Sequence, residues 1–169
     1  MKKCRIIMLA LVSLGSLLVG GVSAQNAKRD HLTEKEADLI REFQEIDKRI
    51  EIFIKATERR LLLLQDPAAV QTKKEEEHWG PLPTGTKLEL LADYKHLLEE
   101  AEEKLEDAHD RNTKNPLLPK ALNKFKEAAT RQLAPLRALA SKMTTKPEQR
   151  ALLEAIEEAE TATKGAMNN

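Results

Sequence analysis

Thr33-Glu34-Lys35-Glu36-Ala37-Asp38-Leu39-Ile40-Arg41-Glu42-Phe43-Gln44-Glu45-Ile46-Asp47-Lys48-Arg49-Ile50 opens a stretch that runs to Gln65 without a glycine or a proline. Its apolar residues Leu39, Phe43, Ile46, Ile50, Phe53, Leu61 and Leu64 fall largely three and four apart, the signature of an amphipathic helix. Thr33 and Glu36 form the S/T-x-x-E capping pattern, in which each side chain satisfies a backbone N–H at the helix start. The spacing therefore predicts one helix over 33–65. At 1.5 Å per residue it would reach about 50 Å, too long for a compact globule and well matched to a bundle. Asp66-Pro67 ends or bends it.

Three further stripes follow. Leu88, Leu91, Tyr94, Leu98, Ala101, Leu105 and Ala108 lie on one face of a second helix, which begins after Gly80-Pro81-Leu82-Pro83 and stops at Asn112 to Pro116. A third, from Leu118 to Met143, turns Leu122, Phe125, Ala129, Leu133, Leu136, Ala140 and Met143 inward. Pro119 is tolerable in its first turn, whereas Pro135 removes a backbone hydrogen bond and predicts a kink near Arg131. The fourth starts at the capping pattern Thr145-Lys146-Pro147-Glu148 and carries Leu152, Leu153, Ile156, Ala159 and Thr163. No segment alternates like a strand. The expected fold is all-α, an antiparallel helical bundle of three main helices plus a shorter C-terminal one. An extended coiled coil is the competing use of such stripes, but the short breaks at 112–116 and 144–146 turn each helix back against its predecessor. The single bundle domain spans 33–164, with a connecting loop over 66–84, a flexible stretch at 25–32 and a frayed end at 165–169.

Ahead of the domain stand Lys2, Lys3 and Arg5, an apolar run from Ile6 to Val22, and the small residues Ser23 and Ala24. This is the pattern of a secretory signal peptide over 1–24, cleaved before Gln25. An uncleaved anchor is the rival, since 17 residues lie at the lower limit for spanning a bilayer. Gly15, Gly20 and Gly21 weaken that reading. Cys4 precedes the apolar run, where it cannot be the lipid-bearing cysteine that follows a lipoprotein leader. An exported protein in the periplasm or outside the cell is expected, with no membrane association once the leader is gone.

Cleavage removes the only cysteine, and with it any disulfide, thiolate metal site or cysteine nucleophile. It also takes three of the 28 basic residues, leaving 25 against 28 acids. Such a mixed surface lacks the clustered positive charge that engages nucleic acid. Ser141 is the sole serine after the leader and sits in no nucleophile motif. Gly80 and Gly85 lack the Gly-Lys-Ser/Thr ending of a phosphate loop. No enzyme activity and no cofactor are expected.

Two His-containing patterns merit weighing as metal sites. Glu106-Asp107-Ala108-His109 and Glu75-Glu76-Glu77-His78 have the Glu-x-x-His spacing of di-iron bundles, but the stripe through Leu105 and Ala108 leaves Glu106 on a flank and His78 falls in a loop. His96 and Glu100 lie one helical turn apart without an identifiable third ligand. Solvated side chains are the simpler reading of both, and His31, ahead of the first cap, reads as a mobile terminal residue. Glu42, Arg49 and Arg60 fall at one edge of the first apolar stripe, where they would set the register between helices.

The more informative surface is apolar. Leu61, Leu62, Leu63 and Leu64 point around nearly a full turn, so one bundle face does not hide them all. Either the 66–84 connection, with Trp79, folds back over them, or Leu61, Leu62, Leu63 and Trp79 form an interaction surface for a protein partner or a second copy. The first is the expected arrangement.

The segment from Ile46 to Lys55, followed by Arg59-Arg60-Leu61-Leu62, resembles a group of uncharacterised secreted bacterial helical proteins. That resemblance implies export and an all-helical fold, and no activity. Leu32-Thr33-Glu34 and Thr145-Lys146-Pro147-Glu148-Gln149-Arg150 are similar to the Leu-Thr-x-x-Gln helix starts of periplasmic stress and metal-resistance adaptors, although Glu36 stands where glutamine belongs and Lys146 interrupts the second site. The function expected is non-enzymatic, through protein–protein contacts in the periplasm or cell envelope. A metal- or stress-responsive adaptor is the alternative.

Overall fold

The computed structural model describes residues 30–165. The leader expected at 1–24, together with residues 25–29 and 166–169, lies outside the described residues. Six α-helices follow one another: α1 Glu34–Glu42, α2 Ile46–Gln65, α3 Lys73–Trp79, α4 Lys87–Arg111, α5 Leu118–Ala138 and α6 Lys146–Lys164, with a 3-10 turn at Leu139–Lys142 after α5. No strand occurs among the described residues, and the chain is all-α as expected.

The largest departure is in the stretch that predicts the fold. Helix 33–65 is broken at Phe43-Gln44-Glu45, where Phe43 and Glu45 have extended backbone, and α1 doubles back along α2. The proof of the reversal is Glu36, whose carboxylate bonds Arg59 and Arg60, 23 and 24 residues further on. In a continuous helix those side chains would be separated by about 35 Å. No glycine or proline marks the bend. What replaces a sequence breaker is tertiary: Arg49 donates from Nε to the Phe43 carbonyl at 2.7 Å and from its guanidinium to Gln44 Oε1 at 3.1 Å, taking up an acceptor that the interrupted helix leaves open.

Ile50 and Phe53 of α2, Leu91, Tyr94 and Leu97 of α4, Phe125 and Leu136 of α5, and Leu152 and Ala155 of α6 belong to one buried cluster. α2 and α6 each pack along both α4 and α5, while α4 and α5, consecutive in the chain, meet only lightly. The 112–117 loop thus carries the chain across the end of the core and sets α5 against α2, contrary to the expectation that α5 returns along its predecessor. Chain direction still alternates. Asp47 faces Lys120, Glu51 faces Lys124 and Thr57 faces Gln132, so α2 and α5 run parallel. Lys95 reaches Glu154 on the parallel pair α4 and α6. With 20, 25, 21 and 19 residues, α2, α4, α5 and α6 are comparable, the C-terminal helix being the shortest by a single residue.

Local chemistry sets the ends. Thr33, Thr72, Thr86 and Thr145 each accept from the N–H of the glutamate three residues on, which bonds back to the threonine N–H. The boxes at Thr72 and Thr86 carry the same spacing as the other two. The first of them converts part of the expected 66–84 loop into α3. Pro135 lies within α5, which ends three residues later and tightens into the 3-10 turn. Of the residues expected to face inward, Leu88, Ala140 and Leu153 are exposed, because each lies off the face its helix turns to the core. His31 and Leu32 are held against the protein, correcting the flexible reading there, and Gly165 is buried beside Lys126.

Candidate interaction surface

Arg59 and Arg60 occupy successive positions near the end of α2, both almost fully buried, with Glu36 wholly buried between them. Glu36 Oε1 accepts from Arg59 at 2.6 Å and from Arg60 at 2.5 Å, while Oε2 accepts from the Thr33 N–H at 2.9 Å. One carboxylate thus caps α1 and clamps it to α2. Burial pushes the Glu36 carboxyl up, but the bonds and charges of Arg60 and Arg59 outweigh that and hold it below the usual glutamate value. Burial draws the Arg59 value down, against the pull of Glu36.

The same arginines tie down the chain on either side. Arg60 donates to the His31 carbonyl at 2.7 Å, and Arg59 to the carbonyls of Trp79 and Gly80, each at 3.0 Å, and of Pro81. Gln71 also donates to the Gly80 carbonyl, at 2.7 Å. Gly80 adopts φ +70°, and a Cβ there would stand 2.9 Å from Lys35 Cβ, so glycine meets both the backbone conformation and the close approach of α1.

Anchored in this way, the connection runs back beside the end of α2. Leu63, Pro67, Ala69, Leu82, Pro83 and Leu90 line an open cleft of about 400 Å³. Leu61 and Leu64 enter the core, Leu63 is half-buried in the cleft wall, and Leu62 is 40% exposed. Val70 and Leu88, chain neighbours of cleft residues, are 89% and 43% exposed. The four leucines therefore divide among three environments. The connection does fold back beside them, but Leu82 and Pro83, rather than Trp79, share the cleft with Leu63. Trp79 is half-buried with its ring edge-on to His78, 5.0 Å between centroids.

The candidate metal ligands are dispersed into pairs. His96 Nδ1 bonds Glu99 at 2.9 Å, and Glu100 instead takes His31 Nε2 at 2.8 Å. His31 thus has a long-range partner, which raises its pKa against the opposing effect of burial. Glu106 is exposed, His109 is half-buried, and Glu75 closes the cap at Thr72. Among the described residues no three histidine, cysteine, aspartate or glutamate side chains are placed to share a metal ion.

Two polar features escaped the sequence reading. Tyr94 Oη donates to Gln132 Oε1 at 2.7 Å and Gln132 Nε2 to Thr57 Oγ1 at 3.0 Å, joining α4, α5 and α2 through the core. Burial pushes the Tyr94 hydroxyl well above its ordinary value. At the α4–α6 seam, Glu102 is pushed up to about 7 by burial and by Glu158, Glu106 and Glu99. Its Oε1 is buried with no hydrogen-bond partner among the described residues. The signals were there: Gln132 and Thr57 are polar positions flanked by apolar stripe residues, and Glu99, Glu102 and Glu106 lie on one side of α4 at helical spacing. No protein-family model matches the chain, and no similar curated protein or solved structure is found.

Proposed function

We propose that the chain is an exported, non-enzymatic helical-bundle protein that works through protein–protein contacts in the periplasm or cell envelope. Its leader is removed after Ala24, and its helices form a single up-down bundle domain. The observation that supports a binding role is the apolar cleft of Leu63, Pro67, Ala69, Leu82, Pro83 and Leu90, with Leu62, Val70 and Leu88 exposed beside it. The partner it suits is a short apolar segment of another envelope protein, because the cleft offers carbon surface and few polar groups to specify a small molecule. The Arg59 clamp keeps one wall of the cleft in place before anything binds, which lowers the ordering cost of association.

A photo-crosslinking side chain at position 62 of the exported protein tests this. A discrete adduct is expected in the envelope fraction, lost on Leu88→Glu and absent when the crosslinker replaces exposed Leu153 on α6. Equal labelling from positions 62 and 153 would remove the cleft from consideration. The export reading is tested separately, by mass spectrometry of the extracytoplasmic protein, with Gln25 expected at its N-terminus and an intact Met1 in membranes counting against it.

A further inference from the structure

We propose that Phe43-Gln44-Glu45 is a hinge through which α1 is exchanged between two copies of the chain, giving a two-fold dimer in which Glu36 of one copy binds Arg59 and Arg60 of the other. Three observations carry this. The residues at the bend contain no obligatory breaker, and the apolar spacing of Leu39, Phe43, Ile46 and Ile50 continues through it as in one helix. The Phe43 carbonyl, which in a continuous helix would accept from the Asp47 N–H, is held by the Arg49 side chain, so the bend rests on a replaceable contact. Gln44 and Glu45 are exposed, and with Ile46 and Arg49 they border a cleft of about 210 Å³ at the end of α4, leaving that end of the molecule unsealed.

Straightening the bend would extend α2 by α1 beyond the molecule. It would also uncover the surfaces on which Leu32, Leu39 and Ile40 pack and leave Arg59 and Arg60 without their carboxylate. The one surface already complementary to these is the same surface of a second copy. Because α1 lies antiparallel to α2 within one chain, two straightened helices passing antiparallel to each other place each α1 on the other copy's α2. The exchange is reciprocal and closed, as a two-fold dimer requires. Both states make the same contacts at the docking site, so the balance between them depends on the hinge and on concentration.

The test is sedimentation velocity on the chain from Gln25, refolded at low and high concentration. Combining Gln44→Ala with Glu45→Ala favours helix at two exposed positions and should raise the dimer share several-fold over the parent. Glu45→Pro suits the bent form, where Glu45 has φ −73°, but removes an N–H that the continuous helix needs, and should leave the chain monomeric. Should Glu45→Pro fail to fold, Glu45→Gly, which weakens helix at an exposed site and leaves the Arg49 and Gln44 bonds in place, is expected to lower the dimer share instead. A double-alanine chain that stays monomeric at every concentration would overturn the proposal. So would a dimer indifferent to both hinge changes but dissolved by Leu62→Glu.

Discussion

Glu36 and Glu102 are glutamates on helices of one chain, set in opposite surroundings. Glu36 is wholly buried, yet each oxygen is engaged: Oε1 takes two guanidinium bonds and Oε2 the backbone N–H of Thr33. Glu102 is half-buried among Glu158, Glu106 and Glu99, with one oxygen enclosed and unpartnered. Both pay for desolvation. Only the first is compensated, so its carboxyl is held low while the second is pushed up to about 7. Burial alone therefore does not say what a charge does to a fold; the groups brought to meet it do. The first site joins α1, α2 and the connection before α4, whereas the second lies at a seam that forms despite it.

The largest effect expected is at the compensated site. Glu36→Ala strands two buried guanidinium groups and should cost about 3–5 kcal/mol in denaturant unfolding, comparable with Phe53→Ala, which empties a fully buried core position. If Glu36→Ala cost less than about 1 kcal/mol, the contrast between the two carboxylates would collapse. The opposite sign is expected across the molecule. A carboxyl at about 7 rather than 4.5 corresponds to about 3 kcal/mol if wholly buried, and solvent screening of this half-buried group reduces that to about 1–2 kcal/mol. Glu102→Gln should thus stabilise the protein by that amount at pH 8 and have no such effect at pH 5.

A pH titration of stability sharpens the comparison. Glu36 is lower in the folded state than unfolded, so its contribution is complete above about 4.5 and is lost as pH falls through the folded value. Glu102 is higher when folded, so the folded state takes up its proton first and stability rises as pH falls from above 7 towards 4.5. His31, raised by Glu100, adds stability below about 6.5 that fades at higher pH. A maximum near pH 5 is expected, and Glu102→Gln should flatten only the alkaline side. The smallest effect is at the bend. Arg49→Ala removes the bond to the Phe43 carbonyl and should cost about 1 kcal/mol, read from the unfolding midpoint.

The core helices were legible because their periodicity records which face is buried, and the caps at Thr33 and Thr145 because they are satisfied within four residues; the boxes of the same spacing at Thr72 and Thr86 went unread beside the connection. Ile50, Phe53, Leu91, Tyr94, Leu105, Phe125 and Leu136 are all buried as their stripes require. Leu62 and Leu63 were visible as surplus apolar surface, yet the cleft they border was not, since Leu82 and Pro83 come from a segment with no stripe. Arg60 was legible as a charge at the edge of the stripe that contacts a neighbouring helix, but its partner and the part of Arg59 were not, because nothing within helical reach on α2 declares a carboxylate 23 and 24 residues earlier in the chain.

By itself, then, the amino-acid order determined the helical class, most helix ends and the apolar faces, because hydrogen bonds between near neighbours and a 3.6-residue repeat are properties of short segments. The reversal at Phe43-Gln44-Glu45, the placement of α5 against α2 rather than α4, the pairing of His31 with Glu100 and the shape of the cleft were decided only in three dimensions. Each depends on groups far apart in the chain meeting where water is excluded, and there an ion pair or an unpaired oxygen outweighs the modest local preference for continuing a helix.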